Sequence, residues 1–175
     1  LDNITVDEND LGATIGSLTI TDEDLENNYD YAVNDTRFEV VADEDGGVNL
    51  KLKDGYSLDY ETESSVDVTV TISDQDGNIY NETFTIDVND VNEAPTDIDL
   101  DNTSIDENDQ GAVVGDLTVT DPDNFDGDAD SVSYTVSDTR FEVVDGQLKL
   151  KDGVSLDHES ESSVSVDVTA TDGGG

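Results

Sequence analysis

The sequence predicts an all-β chain folded as two β-sandwiches in tandem, and three observations carry that expectation. Apolar residues recur at every second position, and nowhere with the three-to-four spacing of an amphipathic helix. Glycine-containing turn dipeptides separate these runs. The whole arrangement also occurs twice: Leu1-Asp2-Asn3 returns as Leu100-Asp101-Asn102, and Asp7-Glu8-Asn9-Asp10 returns as Asp106-Glu107-Asn108-Asp109, 99 positions on. A repeat of about 100 residues is a whole domain, since solenoid units have periods of roughly 20 to 50.

Taken in order, Leu18 and Ile20 alternate with polar residues, as do Leu117 and Val119 in the second copy. Asp35-Thr36-Arg37-Phe38-Glu39-Val40-Val41 returns at Asp138 to Val144, and Lys51-Leu52-Lys53-Asp54-Gly55 at Lys149 to Gly153, so small insertions separate fixed elements. Val66, Val68, Val70 and Ile72 read as a half-buried strand, with Val164, Val166, Val168 and Ala170 as its twin. Phe84, Ile86 and Val88 mark a last strand. Turns are expected at Asp45-Gly46-Gly47, Asp54-Gly55, Asp76-Gly77-Asn78 and Asp145-Gly146. That makes about seven short strands per copy, the number of a sandwich. Residues 1–91 form the first domain, 92–96 a linker and 97–175 the second domain. Laying Ser73-Asp74-Gln75-Asp76-Gly77 against Thr171-Asp172-Gly173-Gly174-Gly175 shows that the second copy has no counterpart of Phe84, Ile86 and Val88. The second sandwich is therefore expected to lack its final strand, either because the sequence is simply cut short at an exposed glycine tip or because a strand completes it, from a neighbour or from later in a parent chain, the latter making it a split domain with a ligand-binding module inserted at the glycine loop.

Charge narrows the partners. Six Lys and Arg face 46 Asp and Glu, a formal charge of −40, which excludes nucleic acid and direct contact with an anionic membrane. With hydrophobic residues at 33%, such a chain repels itself and buries little, so it needs high salt or divalent cations to fold. Cysteine is absent, which removes disulfides and thiolate metal sites. There is no apolar run near the ~20 residues of a membrane span and no basic-then-apolar signal sequence. Leu1 is not an initiator, and the sequence reads as a segment of a longer protein.

The acids are clustered. Asp7-Glu8-Asn9, Asp22-Glu23-Asp24 and Leu58-Asp59-Tyr60-Glu61 recur as Asp106-Glu107-Asn108, Asp121-Pro122-Asp123 and Leu156-Asp157-His158-Glu159, with the intervening residue changed and the acids kept. In extended backbone, acid-x-acid points both carboxylates the same way. Unneutralised, two such charges at ~4 Å repel by about 1 kcal/mol even in water. Between the copies lies Asp90-Val91-Asn92-Glu93-Ala94-Pro95, a run of oxygen donors whose proline holds Ala94 extended. Ca²⁺ takes roughly 6 to 8 oxygen ligands, more than one short loop supplies, so several segments would converge on it.

In this order, Asp-Glu-Asn, Asp-x-Asp, Leu-Asp-x-Glu and Asp-Val-Asn-Glu-Ala-Pro resemble the cadherin repeat, over nearly the whole chain. The resemblance implies Ig-like Greek-key sandwiches with two or three Ca²⁺ ions at the linker. Glu8, Asp59 and Glu61 would come from the first domain. Asp90, the Val91 carbonyl, Asn92 and Glu93 would come from the linker, and Asp121, Asp123 and Asp172 from the second domain. The same residue types at the far ends, Asp22, Asp24 and Asp74 in the first copy and Glu107, Asp157 and Glu159 in the second, would form half-sites shared with neighbouring repeats of the parent. The linker is one residue shorter than the family's usual Asp-x-Asn-Asp-Asn-x-Pro and carries Glu93 where Asp is expected. The chain also has no tryptophan, the residue that strand-exchanging cadherins dock, so junctional adhesion is not implied. Large bacterial surface adhesins carry similarly acidic, cysteine-free repeats. A calcium-stiffened spacer of an extracellular, cell-surface adhesin is therefore the expected function, with a sugar- or protein-binding module as the alternative.

Other features carry less. The acidic run from Asp121 to Asp130 lacks the Gly at position six and Glu at position twelve of an EF-hand in either frame. His158 stands at the variable place where the first copy has Tyr60, and no nucleophile and base mark the chain as an enzyme. Tyr29, Tyr31, Tyr56 and Tyr80 could stack on sugars but are explained as strand or core residues. The sequons beginning at Asn3, Asn34, Asn81 and Asn102 are what chance gives in a chain rich in Ser and Thr.

Overall fold

The computed structural model describes residues 1–21, 28–123 and 132–174, and the chain divides into two compact units, Leu1–Val91 and Asn92–Gly175. No described residue is helical.

Unit 1 holds β1 (Thr5–Asp7), β2 (Thr14–Ser17), β3 (Asp30–Val33), β4 (Phe38–Ala42), β5 (Val48–Leu52), β6 (Ser65–Ser73) and β7 (Ile79–Asn89). They form a four-stranded sheet in the order β1-β7-β6-β3 and a three-stranded sheet β2-β5-β4. The period-two valines explain the packing: Val66, Val68 and Val70 of β6 and Ile86 and Val88 of β7 are buried with Ile15, Phe38 and Leu50 of the other sheet. Each such side chain contributes about 1.5 to 3 kcal/mol when fully buried. The polar residues between them face out and pair across the strands, as Thr69 does with Thr83 and Thr85 with Asp67.

Unit 2 holds β8 (Asp97–Leu100), β9 (Val113–Thr120), β10 (Ser133–Val136), β11 (Phe141–Val144), β12 (Gln147–Leu150) and β13 (Val168–Thr171). β11-β12-β9-β8 make one sheet and β10-β13 the other. β11 and β12 are joined by Asp145-Gly146, both at positive φ (51° and 75°), the backbone that a two-residue hairpin of matching twist requires.

Two expectations need correction. Val164 and Val166 do not lie in a strand; only Val168–Thr171 of that run does. Its twin β6 runs nine residues because β7 pairs with it along the whole length, and no described strand does this for Ser163–Asp167. Leu18 and Ile20 also lie outside β2, whereas Leu117 and Val119 are in β9, where β8 pairs with them. A period-two run becomes a strand only where a neighbour accepts its hydrogen bonds.

Candidate metal centres

In unit 1 the organising side chain is Glu8, in the turn after β1, which is 3% exposed although it carries a carboxylate. One carboxylate oxygen accepts the Tyr60 N–H (2.7 Å) and the other the Val91 N–H (2.8 Å). The adjoining backbone is fixed by the Glu8 N–H donating to the Asn89 carbonyl and by Asn9, at φ 60°, donating to the Leu58 carbonyl. Glu8 thus ties three segments together, and carboxylate oxygens of Glu8, Glu61 and Asp90 lie within 4.8 Å of one another. Asp59 is not in that group; its two oxygens accept the Thr62 N–H (2.9 Å) and hydroxyl (3.0 Å).

In unit 2 the Asn92-Glu93 segment is stitched to two loops. The Glu93 N–H donates to the Asp123 carboxylate (2.6 Å), the Asp123 N–H donates to Asp121 (3.1 Å), and the Asn92 amide donates to Asp172 (3.2 Å). Asp172 is buried at 7% exposure and also accepts the Gly174 N–H (3.0 Å). Gly174 lies so close to the Asn92 side chain that a Cβ there would overlap it. The other Asp123 oxygen, Oδ1, is buried and accepts no hydrogen bond from the described residues. A carboxylate oxygen buried without a donor is costly, by about 1–3 kcal/mol or more for a charged group.

The other expected positions fall into two kinds. Glu107, Asp157 and Glu159 come within 4.8 Å of one another, all exposed, with Glu107 accepting the His158 N–H (3.1 Å) as Glu8 does that of Tyr60. Ser160 and Glu159 donate to Asp157 and hold its carboxyl below the usual range. Asp74, the counterpart of Asp172, is instead closed into its own turn by the backbone and side-chain amides of Asn78 (2.8 and 2.7 Å). Asp22 and Asp24, and the loop from Asn124 to Asp130, lie outside the described residues. Val91 is exposed at 41%.

The sequence pattern did not reveal where the basic residues go, four of which make ion pairs among the described residues. Arg37 forks onto Asp35 and reaches Glu63, and Arg140 does the same with Asp138 and Glu161. Lys51 pairs with Asp54 and Glu39, and Lys149 with Asp152 and Glu142. The repeated Asp-Thr-Arg was the available signal for the first contact; the glutamates follow at unequal distances, 26 residues after Arg37 and 21 after Arg140. The consequence concerns metal: neither Glu8 nor Asp123 is among the partners of these cations. An all-oxygen, carboxylate-rich donor set such as that of Glu8, Glu61 and Asp90 is of the kind that suits a hard cation such as Ca²⁺.

No protein-family model and no curated protein matches the sequence. Solved structures do. The chain is similar to human protocadherin-24 EC1-2 (TM-score 0.68, 21% identity, 95% of this chain and 89% of that one). It is similar to mouse cadherin-23 EC22-24 (TM-score 0.64, 21% identity, 99% and 57%) and to the human desmocollin-1 ectodomain (TM-score 0.59, 21% identity, 97% and 36%). The chain thus spans about a third of the desmocollin ectodomain and over half of the cadherin-23 fragment. At these identities the likeness establishes the fold, and that fold is one of tandem cadherin-like β-sandwich repeats.

Proposed function

We propose that the chain is a calcium-binding spacer segment of a cell-surface adhesin, in which two or three Ca²⁺ ions at the linker fix the orientation of the two repeats. The observation that carries this reading is the buried carboxylate of Glu8 and the buried Oδ1 of the half-buried Asp123, neither with a basic partner among the described residues, in a chain whose ion pairs are made elsewhere. Glu8, Glu61 and Asp90, with Asn92, Glu93, Asp121, Asp123, Asp172 and the Val91 carbonyl, would be the ligands. Asp59 would join them only by releasing Thr62. The exposed Glu107, Asp157 and Glu159 would serve the next repeat of an extracellular parent, of the kind bacterial surface adhesins carry. No catalytic step belongs to this reading.

Affinity for Ca²⁺ is expected at about 10⁻⁴ to 10⁻³ M, the range of extracellular modules bathed in millimolar calcium. Small-angle scattering of the chain with chelator and with 10 mM calcium tests the proposal. The profile should change with calcium and not with magnesium at equal ionic strength, because Mg²⁺ demands tighter octahedral geometry and keeps its water. Identical profiles in all three would refute the spacer role.

A further inference from the structure

We propose that the free edge of β7 in unit 1 is a docking site for an extended segment of a partner protein that carries lysine or arginine, added as an antiparallel strand. The first observation is the edge itself. β1 pairs with β7 only at Asp87, Val88 and Asn89, so among the described residues no strand lies beside residues 79–85 on that side. The Asp87 N–H donates away from β6, to the Ile4 carbonyl, while the Val88 N–H donates to the Ser64 carbonyl on the β6 side. Backbone groups alternate sides along a strand, so Ile79, Asn81, Thr83 and Thr85 turn their N–H and C=O groups to the open edge. The repeat's own preceding segment does not belong there: β8, the strand that enters unit 2, pairs with β9 in the other sheet.

The second observation is that nothing in β7 guards this edge. Open edges are commonly protected by short length, a bulge, a proline or a lysine. β2, β3 and β4 are four or five residues long, and β2 meets β5 through a shifted register. β7 runs eleven residues, pairs with β6 without a shift, and holds neither proline nor lysine. Ile79 and Tyr80 at its start are 66% and 61% exposed. Charge then selects the occupant. The sheet β1-β7-β6-β3 carries Asp7, Asp30, Asp67, Glu82 and Asp87 and no Lys or Arg. A second copy would bring like charges together in a chain of formal charge −40, which disfavours pairing of β7 with β7. Tyr80, Glu82 and Phe84 share one face, and a strand with a cationic side chain opposite Glu82 and apolar ones opposite the two aromatic rings matches it.

The test uses the whole chain at about 0.15 M salt and a nine-residue synthetic peptide with Thr at every second place and Lys, Val, Lys, Val, Lys at the others. One control of equal charge has Pro for its two central Thr, which removes donors that would face β7, and a second has Glu for Lys. Amide hydrogen exchange is read at Asn81, Thr83 and Thr85, with β5 and β6 reporting that unit 1 stays folded, and mass in solution by sedimentation. The lysine peptide should slow exchange at these amides at least tenfold, neither control should, and Glu82→Lys should remove the response. Thr83→Pro, at an amide that does not bond to β6, should remove it too; if that variant loses protection in β6, Glu82→Lys decides alone. The proposal is overturned by no protection from the lysine peptide, by equal protection from either control, by a response that survives Glu82→Lys, or by dimerisation through β7 without any peptide.

Discussion

Units 1 and 2 are built from one pattern, yet the same valines behave differently in each. Val68 is fully buried in a nine-residue strand, while its counterpart Val166 is half-buried in a segment that is no strand. The difference lies in β7, which in unit 1 closes one sheet edge, covers the core and lets β1 form beside it. Alternation along a sequence is thus a capacity for strand formation, realised by a neighbour. The carboxylates repeat the lesson: Glu8 is buried, and Glu107, with the same backbone partner, is exposed. Val91, which follows β7 by two residues, supplies the second N–H that holds Glu8.

The largest expected effect concerns β7 itself. Ile86→Ala should cost about 2–5 kcal/mol, and Val68→Ala about 2, as buried side chains leaving cavities. Val166→Ala should cost less than about 1 kcal/mol, because that side chain is already partly in water. Urea unfolding of the three variants measures this, and equal losses for Val68 and Val166 would erase the contrast.

Next in size is calcium. For a Kd of about 10⁻⁴ to 10⁻³ M, 10 mM calcium should stabilise the chain by roughly 1.4 to 2.7 kcal/mol per site. Glu8→Gln should lose most of that gain while changing stability little in chelator, since the lost charge also relieves repulsion from Glu61 and Asp90. Glu107→Gln should retain it. Melting curves with and without calcium distinguish the two variants.

The smallest effect is electrostatic. Hydrogen bonds from Arg37 hold the Asp35 carboxyl below its ordinary value. A group depressed on folding contributes stability that is complete above its unfolded value, near 4, and is lost as pH falls through the lower folded one. Asp35→Asn should therefore destabilise by about 0.2–1 kcal/mol at neutral pH and by progressively less in stronger acid. Asp138, held down in the same way by Arg140, should follow in the same direction. A loss that is independent of pH would assign Asp35 a role other than charge.

Much of the fold could be read from the residues alone, because period two, glycine turns and the internal repeat are local signals. Asp145-Gly146 forms the turn its residue types demand, and Val66 to Val70 are buried as their spacing implies. What could not be read was whatever depends on partners distant in sequence. Nothing local to Val164 says that no strand will pair with it, and nothing in Leu-Asp-x-Glu says that Asp59 will turn onto Thr62 while Glu61 faces Glu8. The arginine clamps were visible as a repeated Asp-Thr-Arg, but their glutamate partners lie too far along the chain for spacing to reveal.

Calorimetric titration of the chelator-stripped chain with calcium tests the central claim most directly, with Glu8→Gln, Asp123→Asn and the outward-facing Asp67→Asn alongside. Saturable binding of two or three ions at about 10⁻⁴ to 10⁻³ M is expected, weakened at least tenfold by the first two substitutions and unchanged by the third. Heats that are unsaturated, reproduced by sodium chloride at equal ionic strength, or equally affected by all three variants would contradict it. The acids would then be a solvated surface screened by salt.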